Sequence, residues 1–336
     1  MRSGFVSVVG RPNVGKSTLV NEMVGTKVSI TSPRPNTTRH RIRGVLHRPD
    51  AQVVFVDTPG LHRPRTALGN RLNETAAGAL DDVDLVVVVV DATAAVGPGD
   101  RRVLEQALRA VRSARRIPGG LGTAPGDGGL PEDGEPPDDG EAPDEATWPS
   151  MLVAVNKIDR ARPGQVLERL ATVAAAVDRL DATAGPAGSP AGVAAGVEYF
   201  PVSARDGHGV EALVAGIVAR LPEGPAFYPE DMVTDLPEAV RVAELVREQL
   251  LISARDELPH SIACRVTEWE WPRIRCEIVV ERDSQKAIVI GKGGEVLKAA
   301  GTAVRAELPP GAYIELFVRV EKHWQQRDEL IDRLGY

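Results

Sequence analysis

Residues 10–20 read GRPNVGKSTLV, and what flanks them decides the fold. Directly before lies the apolar run FVSVVG (5–10), and a helical pattern over 15–24 begins within the stretch itself. Working outward, four more short apolar runs follow: VVFVD (53–57), DLVVVVVDA (84–92), MLVAVNK (151–157) and VEYFPVSA (197–204). Helical patterns at 100–112, 165–180 and 209–220 alternate with them. Strands apolar on both faces, separated by helices, specify a parallel sheet covered on both sides. Residues 1–221 are therefore expected to form a doubly wound α/β domain.

Beyond a Pro-rich linker, 222–237, the pattern changes. A helix to about Arg255, strands at 260–269 and 273–281 joined by the tight WEWPR connection, helical turns around a second glycine loop, a strand at 312–321 and a last helix predict a smaller α+β domain over 238–336 with an antiparallel or mixed sheet. Two stretches interrupt the first domain. Residues 113–149 are rich in Gly, Pro and acids and poor in large apolar side chains, so they are expected to be disordered. Residues 183–196, TAGPAGSPAGVAAG, form a milder low-complexity insertion. Each follows a helix and precedes a strand, which puts it at the amino ends of the strands, whereas ligands of such sheets bind at the carboxyl ends.

The formal charge of −7 argues against a nucleic-acid binder only at first sight. Nine acids and no Lys or Arg fall between Ile117 and Ser150, so the acidity is mostly local. The two cysteines, Cys264 and Cys276, sit in apolar runs and read as reduced core thiols, too few for a four-ligand zinc site. With no basic-then-apolar leader and no apolar run of spanning length, a soluble cytoplasmic protein is expected, with peripheral contact at the inner face of a membrane left open.

Gly10, Arg11, Pro12, Asn13, Val14, Gly15, Lys16 and Ser17 match the phosphate-loop pattern in the right context, after a strand and opening a helix. The glycines let backbone N–H groups wrap phosphates, Lys16 reaches the β- and γ-phosphates, and Ser17 offers its hydroxyl to Mg2+. The bland alternative is a turn that only joins strand to helix. Asp57, Thr58, Pro59 and Gly60 close the next strand, where the Asp can hold the Mg2+ shell and the Gly60 N–H can sense a γ-phosphate. Asn156, Lys157, Ile158 and Asp159 follow another strand; the Asp159 carboxylate can accept from guanine N1–H and its exocyclic amine, a donor pair that adenine lacks. Ser203 and Ala204 would bring a backbone N–H to the guanine O6. Between these motifs, TSPRPNTTRHRIR (31–43) shows no apolar periodicity. Within it, Asn36, Thr37, Thr38, Arg39 and His40 are candidates for a switch, with either Thr37 or Thr38 completing the Mg2+ shell when GTP is bound. Leu61 cannot orient water as a glutamine does, so unaided hydrolysis is expected to be slow. Asn13 is a candidate ligand for a monovalent cation such as K+, or else a turn-stabilising side chain.

The second loop, IVIGKGGEVLKAAG (288–301), lacks both the spacing and the hydroxyl of a nucleotide loop. Its Gly-x-x-Gly turn between two helices is the loop with which a KH module clamps about four nucleotides of single strand. Lys286, Ile290, Gly291, Lys292, Gly293, Gly294 and Lys298 are the candidate RNA-binding residues. Ile288, Ile290, Val296 and Leu297 read as core, with room for one or two of them to line the groove. Residues 226–336 carry fifteen basic against twenty acidic residues, yet from Arg282 to Arg305 the balance is +3, a basic lip on an acidic domain.

Taken together, GRPNVGKSTLVN, SITSPRPNTTRHRIRG, VDTPGLH, NKID, VSA, FYPEDMVTDLPE, RDELPHSIAC, VIGKGG and the closing LGY make the chain resemble the Era family of bacterial GTPases, which carry a C-terminal type II KH domain. The resemblance spans nearly the whole chain apart from the two insertions. It implies GTP hydrolysis with Mg2+, binding near the 3′ end of 16S ribosomal RNA, assistance to 30S subunit assembly and loose association with the membrane. The family's Mg2+-linked threonine maps onto the Thr37 and Thr38 pair, and its hydrophobic residue after the third motif's glycine onto Leu61. A competing expectation is a signalling GTPase whose C-terminal domain docks a protein or membrane partner. A tRNA-modifying GTPase would need catalytic cysteines or a further domain, and neither is visible.

Overall fold

The computed structural model describes residues 1–34, 37–60, 66–80, 83–115, 150–183, 193–253 and 261–336. Strands β1 (Arg2–Gly10), β2 (Ile42–His47), β3 (Ala51–Asp57), β4 (Leu85–Asp91), β5 (Ser150–Asn156) and β6 (Glu198–Pro201) build one sheet in the order β2-β3-β1-β4-β5-β6. All neighbours are parallel except β2 and β3. In β4 the period of two sends Val86, Val88 and Val90 to one face and Leu85, Val87 and Val89 to the other, and all six are buried. Helices α3 (Pro98–Arg115) and α4 (Pro163–Thr183) cover the first face; α1 (Lys16–Val24) and α5 (Val210–Val218) cover the second.

Several boundaries depart from the expectation. Strand β2 begins inside the stretch read as a non-periodic loop: Ile42 and Arg43 already pair with β3. An edge strand with one wet face and a glycine carries little periodic signal. Residues 113–115 belong to the last turn of α3, not to the acidic insertion, whose residues 116–149 lie outside the described residues. Likewise Thr183 closes α4, and Val193–Gly196 form a 3-10 turn with Val193 buried in the core; 184–192 lie outside the described residues. Helix α2 (Ala67–Gly78), capped by the Thr66 hydroxyl accepting from the Gly69 N–H at 3.1 Å, has too weak an apolar stripe to stand out in the sequence.

Helix α6 (Glu238–Ser253), strands β7 (Ala263–Glu270), β8 (Arg273–Val280) and β9 (Tyr313–Val320), and helices α7 (Asp283–Ile290), α8 (Glu295–Ala306) and α9 (Asp328–Arg333) make the second unit. Its sheet is mixed, β7 antiparallel and β9 parallel to the central β8. Cys264 and Cys276 are free and buried in its core. The connection between the units is tied down: the Gln52 side chain accepts from the Phe227 and Tyr228 N–H groups, and the Val45 N–H donates to the Val233 carbonyl at 2.9 Å.

Candidate nucleotide site and second glycine loop

The phosphate loop leaves β1 at Gly10 and enters α1 through Gly15, whose φ of 96° lies in the left-handed region that favours glycine. Gly15 also faces the Asn156 amide with no room for a Cβ between them. Lys16 is buried and donates to the Gly10 and Arg11 carbonyls at 3.2 and 3.1 Å. Burial lowers its pKa to about 8, against the opposing pull of Asp57.

Three hydroxyl and carboxylate oxygens converge next to it. Ser17 Oγ lies 2.8 Å from Thr38 Oγ1, which donates to Asp57 Oδ2 at 3.3 Å. Asp57 is fully buried, which pushes its carboxyl up against the opposing effect of Lys16 and nearby hydroxyls; its Oδ1 makes no hydrogen bond to the described residues. Thr37 points elsewhere, its hydroxyl bonding the Arg34 carbonyl at 2.8 Å and Ser32 at 2.7 Å. Of the two adjacent threonines, only Thr38 joins the cluster. Thr58 donates to the Val8 carbonyl at 3.1 Å and anchors the Asp57–Gly60 turn to β1. Asn36 and Leu61 lie outside the described residues.

On the far side of the loop, Asn156 donates to the Val14 carbonyl at 2.9 Å and accepts from the Lys157 and Ala204 N–H groups. Lys157, at φ 69°, reaches back to the Asn13 carbonyl and to Asp91 Oδ2 at 2.7 Å. Despite partial burial, the Lys157 ammonium and the Thr93 donors hold the Asp91 carboxyl below its ordinary range. Asp159 is exposed, with Oδ1 accepting from the Ser203 hydroxyl at 3.0 Å. The Ala204 N–H, expected at a guanine O6, here donates to Asn156 at 2.9 Å, so an incoming base would share or take over that donor. Asn13 has φ 65°, a conformation Asn tolerates in turns, and its side chain is exposed.

The second glycine loop joins α7 to α8 through Lys292–Gly294, with the Gly294 N–H donating to the Gly291 carbonyl at 3.2 Å. Gly293 and Gly294 have φ of 64° and 80° and nothing within 4 Å of where a Cβ would stand, so the backbone is open to a close-lying chain. Lys292 and Lys298 are exposed around it and Lys286 half-buried. Ile288 corrects the sequence reading: it is 56% exposed, and Val289 takes the core position. Ile290 is half-buried, while Val296 and Leu297 pack on the core as expected.

The two units are joined where Thr31 and the switch candidates Thr37, Arg39 and His40 meet residues of the second unit, Glu244, Arg247, Glu248, Trp324 and Tyr336, that sequence reasoning did not single out. Arg247 of α6, fully buried, pairs with Glu244 at 2.5 Å and donates to the Thr37 carbonyl. The Thr31 N–H donates to Glu248 Oε1 at 2.7 Å. Arg39 donates to the Ile262 carbonyl at 2.8 Å and lies over the rings of Trp324 and Tyr336. The His40 ring is 5.0 Å from that of Tyr336, and its Nε2 is 3.9 Å from Glu244 Oε1. Ile30 packs within the core of the second unit. Glu244, Arg247 and Glu248, spaced i, i+3, i+4, do mark one helix stripe, but nothing local says that a charged stripe is buried.

A model of the 50S ribosome-binding GTPase family matches residues 5–117, and a KH-domain model matches 257–325. The class of protein is thereby defined: a phosphate-loop GTPase domain followed by a KH domain. GTPase Era of Mycobacterium avium (strain 104) is 42% identical over 346 residues, covering 100% of this chain and 99% of that protein; GTPase Era of Mycobacterium bovis (strain BCG / Pasteur 1173P2) is 41% identical over 99% of this chain. A crystal structure of an Aquifex aeolicus Era variant bound to GDP·AlF4− superposes with a TM-score of 0.79 at 33% identity, covering 100% of this chain and 99% of that one. Era in complex with MgGDPNP and nucleotides 1506–1542 of 16S ribosomal RNA superposes at 0.81, again at 33% identity and the same coverage. The chain belongs to the GTPase Era family, and it is a GTPase.

Proposed function

We propose that this chain is a GTP-driven switch that binds single-stranded RNA at the 3′ end of 16S ribosomal RNA through its KH domain and assists assembly of the 30S subunit. The observation that carries the reading is the full-length match, with both loops intact, to an Era chain solved with MgGDPNP and 16S nucleotides.

In this reading, residues 10–17 wrap the phosphates, and Lys16, held in place by two loop carbonyls, meets the β- and γ-phosphates. Ser17, Thr38 and Asp57 form an all-oxygen donor set suited to a hard cation, and Asp57 Oδ1, buried without a hydrogen bond to the described residues, is an acceptor to spare. These residues would hold Mg2+, which when bound neutralises charge on the phosphate oxygens. The geometry favours Thr38 over Thr37 for that shell. Gly60 would present its N–H to the γ-phosphate and Asp159 would select guanine. Asn13, with its exposed side chain, is the candidate contact for K+. With leucine at position 61, hydrolysis relies on backbone, ion or partner to place the water.

Gly291, Gly293 and Gly294 would let an RNA backbone approach, with Lys286, Lys292 and Lys298 supplying charge and Ile290 flanking them. A place in the cytoplasm, with contact at the inner face of the membrane rather than passage through it, is part of the same proposal; among the described residues no helix is long and apolar enough to cross a membrane.

The test is binding of purified protein to labelled single-stranded RNA of the 16S 3′ end, with a non-hydrolysable GTP analogue and then with GDP. Tighter binding with the analogue, lost in Gly294→Asp while GTP hydrolysis persists, is expected. Unchanged RNA affinity in Gly294→Asp would contradict the groove assignment; no RNA binding in either state would redirect the KH domain to a protein or membrane partner, for which exposed Ile288 is the natural contact.

A further inference from the structure

We infer that Arg247, which belongs to the KH-side helix α6, is a positioning residue for the GTP-bound state of the switch, holding Thr38 beside Ser17 and Asp57 through the carbonyl of Thr37. The inference rests on the reading of Ser17, Thr38 and Asp57 as the GTP-dependent cation shell.

The carbonyl that Arg247 holds belongs to the peptide joining Thr37 to Thr38. A planar peptide moves as one unit, so fixing that oxygen fixes the Cα of Thr38, one bond from the side chain that meets Ser17 at 2.8 Å. Nearby contacts of the second unit work in the same direction. Glu248 takes the Thr31 N–H, and the Ile262 carbonyl takes Arg39. The charged stripe Glu244, Arg247 and Glu248, each at most 3% exposed, is thus aimed at the segment around the threonines.

Stability is a poor reason for this arrangement. An i, i+3 pair between Glu244 and Arg247 could form equally on a wet helix face, and burying both charges costs desolvation that the pair does not reliably recover. Nη1 of Arg247 has no hydrogen-bond partner among the described residues, a further cost. What burial achieves is direction: a rigid guanidinium fork clamped by one carboxylate and pointed at one carbonyl. Because Thr38 already meets Ser17 and Asp57 while Arg247 grips Thr37, the grip favours the GTP-bound arrangement over the GDP-bound one. By reciprocity, GTP strengthens the grip and so the seating of α6.

The full-length protein would be compared with Arg247→Lys and with the double variant Glu244→Gln/Arg247→Met, which removes both charges of the pair together if the first variant folds poorly. Affinities for a fluorescent non-hydrolysable GTP analogue and for GDP, the Mg2+ concentration for half-maximal analogue binding, and hydrogen exchange at residues 37–40 are the readouts. Analogue affinity is expected to fall about tenfold in both variants, with the Mg2+ requirement raised and exchange at 37–40 accelerated, while GDP affinity stays within about twofold. Lysine keeps the charge but cannot span Glu244 and the carbonyl together, so a purely structural cation would be rescued by it. Equal weakening of analogue and GDP, or full rescue by lysine, would overturn the inference and leave the nucleotide site standing. If the unaltered protein bound neither nucleotide, the site reading and the inference would fall together.

Discussion

A Cβ on Gly60 would lie 2.7 Å from the Pro12 backbone nitrogen, so the turn after β3 presses directly on the phosphate loop. Any side chain at 60 must push that turn and the phosphate loop apart. Gly60→Ala is expected to lower single-turnover GTP hydrolysis by at least about tenfold, a transition-state loss of about 1.4 kcal/mol, while GDP binding is largely kept. Rapid-quench kinetics beside GDP titration would check this, and wild-type hydrolysis in the variant would show that Gly60 does not sense the γ-phosphate.

Lys16 is expected to make nucleotide affinity depend on pH. Burial brings its pKa down to about 8, and phosphate oxygens beside it would raise it again, so binding above about pH 8 must take up a proton. Affinity is expected to be level below about pH 8 and to fall above it by up to about tenfold per pH unit. The stability of the ligand-free fold moves the other way, rising between about pH 8 and the ordinary lysine value of 10.5, because there the unfolded chain holds the proton and the folded chain does not. Titration calorimetry near pH 7 and pH 9 in buffers of different ionisation heat would detect the uptake; equal affinity and no uptake would mean that Lys16 does not meet the phosphates.

Asp159 stands exposed with one carboxylate oxygen bonded to Ser203 at 3.0 Å. Asp159→Ala removes the acceptor for guanine N1–H and its amine, and should weaken GTP by about 100-fold with little effect on the already weak ATP. Competition between the two nucleotides for a fluorescent GDP measures it. Retained preference for guanine would place base selection on another residue.

Lys292 is exposed at the tip of the second glycine loop. As a phosphate contact, its change to Gln should weaken binding to all single-stranded RNA sequences alike and reduce the salt slope by about one. A salt titration of RNA affinity decides it, and an unchanged slope would remove Lys292 from the groove.

Most of the candidate nucleotide site could be proposed from the sequence because its parts are local. Each motif lies within a few residues of a strand end, and fully buried strands such as Leu85–Asp91 announce themselves as unbroken apolar runs. Edge strand β2 was hidden by its single buried face. Ile288 was misread because its short helix alternates core and surface, and which residue faces the core is set by how α7 lies on the sheet; there Val289 is buried and Ile288 is 56% exposed.

By itself, the sequence determined the doubly wound sheet, the phosphate loop on it, the KH loop that follows and the family. Only the tertiary structure decided which threonine meets Ser17 and Asp57, and that the adjacent carbonyl is held by Arg247, 210 residues further along the chain. Local patterns carry the first kind of information because secondary structure repeats over two to four residues. The second kind depends on how the two units dock, and no period within either one encodes that.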